Sequence, residues 1–157
     1  MKPLALSSLA FLLAACVAFP VKELSPGMPT SEVEAKMGKP AKTLVDSAGR
    51  TVWFYPRAPE PRQTWAAVFT RDGKLESIEQ RLTRQNIAKI GKGTTKAQVE
   101  ELLGPPWRAY PVQRQPYEEW DYRVTTDLDN DLLIRFTADG VAEQVYLLHD
   151  PKYDRGP

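Results

Sequence analysis

Two stretches of this chain carry the same residue types in the same order. Residues 27–33 and 37–40 recur 66 positions later, with Gly, Val and Gly-x-Pro kept in place. The aromatic run at 53–55 and the Phe-Thr-x-Asp-Gly segment at 69–73 recur 67 positions later. One inserted residue reconciles the two offsets. Self-similarity at a fixed period indicates repeated structural units, so the sequence predicts a fold built from two like units.

Each unit begins with a predicted helix, and the second copy shows both helix ends. Thr95 and Gln98 are spaced as a capping box, and Gly104, followed by Pro105, ends the apolar periodicity. The residues at helical spacing between these ends are Val99, Leu102 and Leu103. We therefore expect a short amphipathic helix with one face turned to a core.

The corresponding helix of the first unit lacks the capping threonine. Pro29 replaces it, so we expect Ser31 with Glu34 to cap a shorter helix. A smaller helix is also predicted before each of these, over residues 83–90 in the second unit and within residues 21–25 in the first.

Three segments with strand character follow each helix. Asp72-Gly73 and Asp139-Gly140 lie between the last two segments of each unit and are typical of tight hairpins. The proline-rich stretches at 56–61 and 105–116 are interpreted as loops. The predicted strands span 51–55, 65–69 and 75–80, then 119–123, 131–136 and 141–148. The predicted fold class is α+β: two tandem two-layer repeats, each with short helices packed on a three-stranded antiparallel meander.

The chain starts with the layout of a signal peptide. A basic residue, Lys2, precedes an apolar run too short to span a bilayer, and small residues lead to Cys16. Leu13-Ala14-Ala15-Cys16 resembles the lipobox of bacterial lipoproteins, in which the cysteine is lipidated and becomes the mature N-terminus. The alternative is an ordinary secretory signal with Cys16 as a bystander. Since Cys16 is the only cysteine of 157 residues, no intramolecular disulfide can form.

The expected organisation is therefore a signal peptide at 1–15 and a tether at 16–23, followed by repeats at 24–82 and 83–149 and a tail at 150–157. Without Lys2, the 21 basic residues fall to 20 and match the 20 acidic ones. A balanced charge gives no electrostatic reason to bind nucleic acid. No segment after Cys16 is long and apolar enough to span a membrane, so the membrane is expected to hold the protein only through lipid.

The residue inventory favours a protein without catalytic activity. The single histidine, His149, is interpreted as an exposed strand end, and no nucleophile with an adjacent base is evident. Asp127, Asp129 and Asp131 are spaced like the start of a calcium loop, but Leu132 stands where that loop requires glycine. We expect no catalytic residues, no metal site and no cofactor other than the N-terminal lipid.

Alternation along the strands separates a core face from an opposite face. Trp120 and Tyr122 share one face, which we assign to the core, and Asp121 is expected on a wet face. The opposite face is more apolar than a solvated sheet requires. Either the two repeats cover each other there, or the face docks a partner. The partner-binding hypothesis names Val52, Phe54, Val68, Leu133 and Tyr146, with Phe54 central.

The order of these landmarks resembles the BamE/SmpA/OmlA family of outer-membrane lipoproteins. The best matching segments are Val52-Trp53-Phe54-Tyr55, residues 64–69 and Asp72-Gly73-Lys74-Leu75. The resemblance implies a periplasm-facing accessory of the machinery that inserts β-barrel proteins, acting through protein and lipid contacts. It covers the chain twice, whereas BamE has one such domain. Tandem repeats of this shape also resemble β-lactamase inhibitor proteins, which suggests an inhibitor-like or scaffold protein gripping another envelope protein as the alternative.

Localisation follows from the same resemblance. Val17 follows Cys16, and the absence of aspartate at that position fits lipoprotein sorting to the outer membrane. The expected partners are envelope proteins, with the β-barrel assembly machinery first among them.

Overall fold

A computed structural model describes residues 20–57, 62–125 and 129–149. The predicted signal peptide, Cys16, Asp127 and the tail at 150–157 lie outside these ranges. The chain is α+β, as expected. The elements in order are a 3-10 turn (Val21–Glu23), α1 (Thr30–Met37), β1 (Lys42–Val45), β2 (Thr51–Pro56), β3 (Thr64–Phe69), β4 (Leu75–Gln80), α2 (Arg84–Ile87), α3 (Lys96–Leu103), β5 (Arg108–Pro111), β6 (Tyr117–Thr125), β7 (Asp129–Thr137) and β8 (Ala142–His149).

The strands form two antiparallel sheets of four strands, ordered β1-β2-β3-β4 and β5-β6-β7-β8. The predicted count of three strands per unit is therefore wrong. The missed strands, β1 and β5, are four-residue edge strands, and β5 lies inside the proline-rich stretch interpreted as a loop. Pro111 is tolerated because it ends an edge strand, where a lost backbone donor is least damaging.

Strand register shows where the inserted residue lies. Lys42 is opposite Phe54 in the first sheet, and Arg108 is opposite Asp121 in the second. Lys42 and Arg108 are 66 positions apart in the sequence, whereas Phe54 and Asp121 are 67 positions apart. The extra residue therefore belongs to the hairpin between β5 and β6. Phe54 and Asp121 therefore occupy equivalent places in the two sheets.

The helix ends follow the sequence closely in the second unit only. Thr95 and Gln98 form the predicted capping box at the start of α3. In the first unit, α1 begins at Thr30 after Pro29 with no side-chain cap. The predicted cap by Ser31 is wrong because the helix already includes Ser31. Both helices stop at the expected glycines.

Each helix start is fixed to the Asp-Gly hairpin of its own sheet. The amide of Thr30 donates to the carbonyl oxygen of Gly73 (3.3 Å), and the amide of Lys96 donates to Gly140 (3.0 Å). The hairpins therefore orient the helices across one face of each sheet. The smaller helix α2, capped by Thr83, is shorter than predicted, and a 3-10 turn stands in the equivalent place in the first unit.

The core prediction is confirmed in both units. Trp53 packs on Phe69 with ring centroids 4.8 Å apart, and the equivalent pair, Trp120 and Phe136, is 4.9 Å apart. The first core contains Leu24, Val33, Tyr55, Ala67, Phe69 and Leu75, and the second contains Leu82, Ile90, Val99, Leu103, Trp120, Tyr122, Val124, Leu132, Ile134, Phe136 and Ala142. Across the described ranges, no helix is long and apolar enough to cross a membrane.

Candidate protein-contact surface

The outer face of each sheet, opposite its own helices, is where the sequence left two interpretations open. In the first sheet, Val52, Phe54 and Val68 lie on this face and are 1%, 0% and 0% exposed. The C-terminal end of α3 covers them: a Cβ built on Gly104 would lie 2.7 Å from Cδ1 of Phe54. The second unit therefore packs directly on the outer face of the first.

Polar contacts surround this apolar junction. Lys42 forms an ion pair with Glu100 (Nζ–Oε1, 3.3 Å). The backbone amide and hydroxyl of Ser47 both donate to Oε1 of Glu101, at 3.1 and 2.7 Å. The junction thus has an apolar centre and a polar rim, as protein interfaces commonly do.

The partner-binding hypothesis needs correction for four of its five residues. Val52, Phe54 and Val68 face the second unit and are not accessible to a partner. Their apolar character is explained by one half of the other interpretation, since the second repeat covers this face of the first. Leu133, on the outer face of the second sheet, is also buried, at 7% exposure, which leaves only Tyr146, directly opposite it.

The outer face of the second sheet differs in chemistry from its counterpart. Asp121 stands in the place of Phe54, and by the same register Glu119 and Arg135 replace Val52 and Val68. We call this surface the second outer face. It consists of Arg108, Tyr110, Glu119, Asp121, Arg123, Asp131, Leu133, Arg135, Gln144, Tyr146 and Leu148, with Trp107 at its edge.

Glu119 connects two neighbouring strands on the second outer face. Its Oε1 accepts hydrogen bonds from the hydroxyl of Tyr146 (2.7 Å) and from Nε of Arg135 (2.8 Å). Arg135 also donates to Oε1 of Gln144 (2.9 Å). Burial opposes the ionisation of Glu119, but these hydrogen bonds and the charge of Arg135 outweigh burial and lower its pKa. The network fixes a tyrosine and an arginine in defined positions.

Trp107 holds two arginines at the other end of this face. The guanidinium carbon of Arg108 lies 3.7 Å from the Trp107 ring centroid, and that of Arg123 lies 4.9 Å from it. These distances are typical of cation–π stacking. Arg123 is also paired with Asp131 (Nε–Oδ1, 3.0 Å). The arginines are therefore held by stacking as well as by charge.

Asp121 lies beneath this arrangement, and the expectation of a wet environment for it is wrong. The residue is only 7% exposed, and its Oδ1 has no hydrogen-bond partner among the described residues. Burial, reinforced by the nearby charge of Asp131, raises the pKa of Asp121 to about 6. A hydrogen-bond donor or a positive charge placed next to the Asp121 carboxyl group would therefore stabilise its ionised form.

Sequence reasoning missed Trp107, Arg108 and Tyr110, which contribute the most distinctive part of this face. They were interpreted as loop because prolines surround them. The useful signal was the first unit, since residues 42–45, which are 66 positions earlier, contain no proline and include the β-branched Thr43 and Val45. Tyr110 is 38% exposed, so the second outer face offers an aromatic side chain to solvent.

The second outer face is rich in aromatic rings and guanidinium groups. Among the described residues, no group of three histidine, cysteine, aspartate or glutamate side chains is arranged to hold a metal ion. The aspartates here are paired with or flanked by arginines. The arrangement presents planar aromatic and guanidinium groups, which suit recognition of another polypeptide.

Comparisons with known proteins find similarity among solved structures only. No family model matches the chain, and no curated protein matches it. The chain is similar to the crystal structure of a DUF4309 family protein (YjgB) from Bacillus subtilis, with 19% sequence identity over 78% of each chain and a TM-score of 0.32. A likeness at that TM-score carries no argument about fold or function.

Proposed function

We propose that this protein is a lipid-anchored, non-catalytic protein-binding module of the bacterial envelope. In this proposal residues 1–15 are removed, Cys16 carries the lipid, and the two repeats face the periplasm from the outer membrane. The proposed role is that of a BamE/SmpA/OmlA-like accessory in β-barrel protein assembly or envelope maintenance. The lipobox and the twice-repeated order of landmarks support the family assignment.

The observation that carries the binding role is the chemistry of the second outer face. Trp107, Tyr110, Tyr146 and Arg108 are the residue types most enriched at binding hot spots. Several of them are held in place before any partner arrives, by stacking on Trp107 and by hydrogen bonds to Glu119. Pre-ordered side chains lose less conformational entropy on binding, which favours affinity.

Affinity purification tests this proposal. The tagged full-length protein is recovered from detergent-solubilised envelope, and the co-purifying proteins are identified by mass spectrometry. A double variant, Arg108→Glu with Tyr110→Ser, removes the exposed anchors of the second outer face. Val45→Ser is the matched control, because Val45 is an exposed side chain (68%) on the equivalent edge strand of the first sheet.

We expect the wild type and the Val45 variant to recover the β-barrel assembly machinery and the double variant to lose it. Recovery of one unrelated envelope enzyme instead would favour the inhibitor-like alternative. Equal recovery by all three proteins would refute the role of the second outer face. Mass spectrometry of the mature N-terminus tests the anchor separately, since an unmodified Cys16 would contradict the proposed localisation.

A further inference from the structure

The four edge strands of the two sheets are protected to different degrees. Open edges invite pairing with other chains, and proteins commonly block them with charges or proline. The edge strand β4 carries Glu76 and Glu79, both exposed, and Arg81 follows it. The edge strand β5 ends with Pro111. Both edges therefore carry a recognised form of protection.

The edge strand β8 lacks this protection over its second half. Tyr146, Leu147 and Leu148 stand in the places that Glu79, Gln80 and Arg81 occupy in the first unit. Leu147 is 49% exposed and Leu148 is 48% exposed. Two large apolar side chains at the end of an edge strand are costly unless something covers them.

The covered part of the β8 edge ends early. Ala142 exchanges backbone hydrogen bonds with the segment before α3, accepting from Gly93 and donating to Thr94, each at 2.8 Å. Lys92 forms an ion pair with Glu143 (2.8 Å). Beyond these contacts, the described residues provide no further backbone partner on this side of β8. Among the described residues, the part of this edge without a backbone partner runs over 143–149, and we call it the free edge.

The free edge is complementary to itself. Val145 and Leu147 are opposite Ile134 and Leu132, so both lie on the helix-covered face, while Tyr146 and Leu148 lie on the outer face. In an antiparallel pair centred on Tyr146, Val145 meets Leu147 of the other copy on the same face. No charged residue between 144 and 148 opposes a like charge. A register shifted by one residue would place apolar side chains opposite the wrong face.

We infer that β8 pairs with β8 of a second copy around a two-fold axis through Tyr146, which joins the two second sheets into one eight-stranded antiparallel sheet. The helices of both copies then lie on the same side. The centre falls on Tyr146 because it is the midpoint of the free edge, so this register forms the longest ladder. A two-fold contact of this kind is closed and does not propagate into a filament.

Sedimentation and cross-linking of the purified full chain in detergent test the inference. Analytical ultracentrifugation over a concentration series should show a reversible dimer for the wild type. Leu147→Lys should weaken dimerisation at least tenfold, because it places a charge against an apolar side chain of the other copy. Val45→Lys is the control for adding a lysine at an exposed apolar position, and it should leave the dimer unchanged.

Cross-linking checks the register. Tyr146→Cys places a thiol directly opposite its own copy, with Cβ atoms about 4.5–5.5 Å apart, so mild oxidation should yield a covalent dimer. Val45→Cys, which retains the same native Cys16, should not. A wild type that stays monomeric at all concentrations, or an equally strong dimer with Leu147→Lys, would overturn the inference. Leu147 and Val45 lie outside the second outer face, so failure here is distinguishable from failure of the proposed binding role.

Discussion

The contact between α3 and the first sheet is so close that adding a single methyl group at Gly104 should lower the free energy of unfolding. Gly104 ends α3, and a Cβ at this position would lie 2.7 Å from Cδ1 of Phe54 and 2.8 Å from Cγ2 of Thr64. Gly38 ends α1 in the same way and meets nothing within 4 Å. The two glycines therefore form a matched pair, one inside the junction and one outside it.

Backbone strain is the same at both positions. Gly38 has φ 78° and ψ −173°, and Gly104 has φ 82° and ψ −167°, a conformation almost restricted to glycine. Alanine in this region costs about 1–3 kcal/mol. Only Gly104→Ala adds overpacking, which typically costs a further 1–3 kcal/mol or so. The difference between the two variants should therefore be about 1–3 kcal/mol, with Gly104→Ala the less stable.

Urea unfolding followed by tryptophan fluorescence provides the assay, since Trp53 and Trp120 are in separate cores. The difference should shrink in a Phe54→Ala background, because the truncated side chain no longer meets the added methyl group. Equal unfolding free energies for Gly38→Ala and Gly104→Ala would refute the packing of α3 on the first sheet.

Three further predictions follow from the same structure. Asp121→Asn should stabilise the protein at pH 7.5 by up to about 3 kcal/mol and should have little effect below pH 4. The reason is that the pKa of Asp121 is raised to about 6 in the folded protein, so the stability of the wild type falls as the pH rises from about 4 to 6. Urea midpoints that differ equally between the two proteins at both pH values would contradict this. Thr95→Ala should lower the free energy of unfolding by about 1 kcal/mol, because it removes the capping box of α3. Thr30→Ala removes no cap and should lower it by less than about 0.5 kcal/mol. Thermal denaturation of the two variants measures both effects. Phe54→Asp should cost more than about 3 kcal/mol because the side chain is fully buried; a normally folded variant by near-UV circular dichroism would show that the face is open.

Much of the fold could be predicted because helix ends and hairpin turns depend on residues that are close together in the sequence. The capping box at Thr95, the stop at Gly104 and the Asp-Gly hairpins depend on neighbours within a few residues. The alternation around Trp120 similarly identified the core face. These features need no knowledge of distant contacts.

The missed features depend on contacts between distant segments. Strand β5 is short, and its extended conformation depends on pairing with β6. The prolines within and around β5 therefore led to the prediction of a loop. Pattern alone could not decide whether Phe54 faces a partner or the second unit, since both require an apolar side chain. The burial of Asp121 could not be predicted for a similar reason, because alternation along β6 assigns the side chain to a face but does not show what packs on that face.

The replacement of Phe54 by Asp121 also determines how many such units one chain can stack. A third unit joined as the second joins the first would bring a glycine-ended helix onto Asp121 and its charged neighbours, and it would bury the Asp121 carboxyl group, whose Oδ1 has no hydrogen-bond donor among the described residues. Repeat arrays remain soluble by finishing in a polar terminal unit, and the second unit has that character. The order of the two units is consequently fixed. A chain with the units exchanged would expose the apolar face around Phe54 and bury the charged one, and it should aggregate.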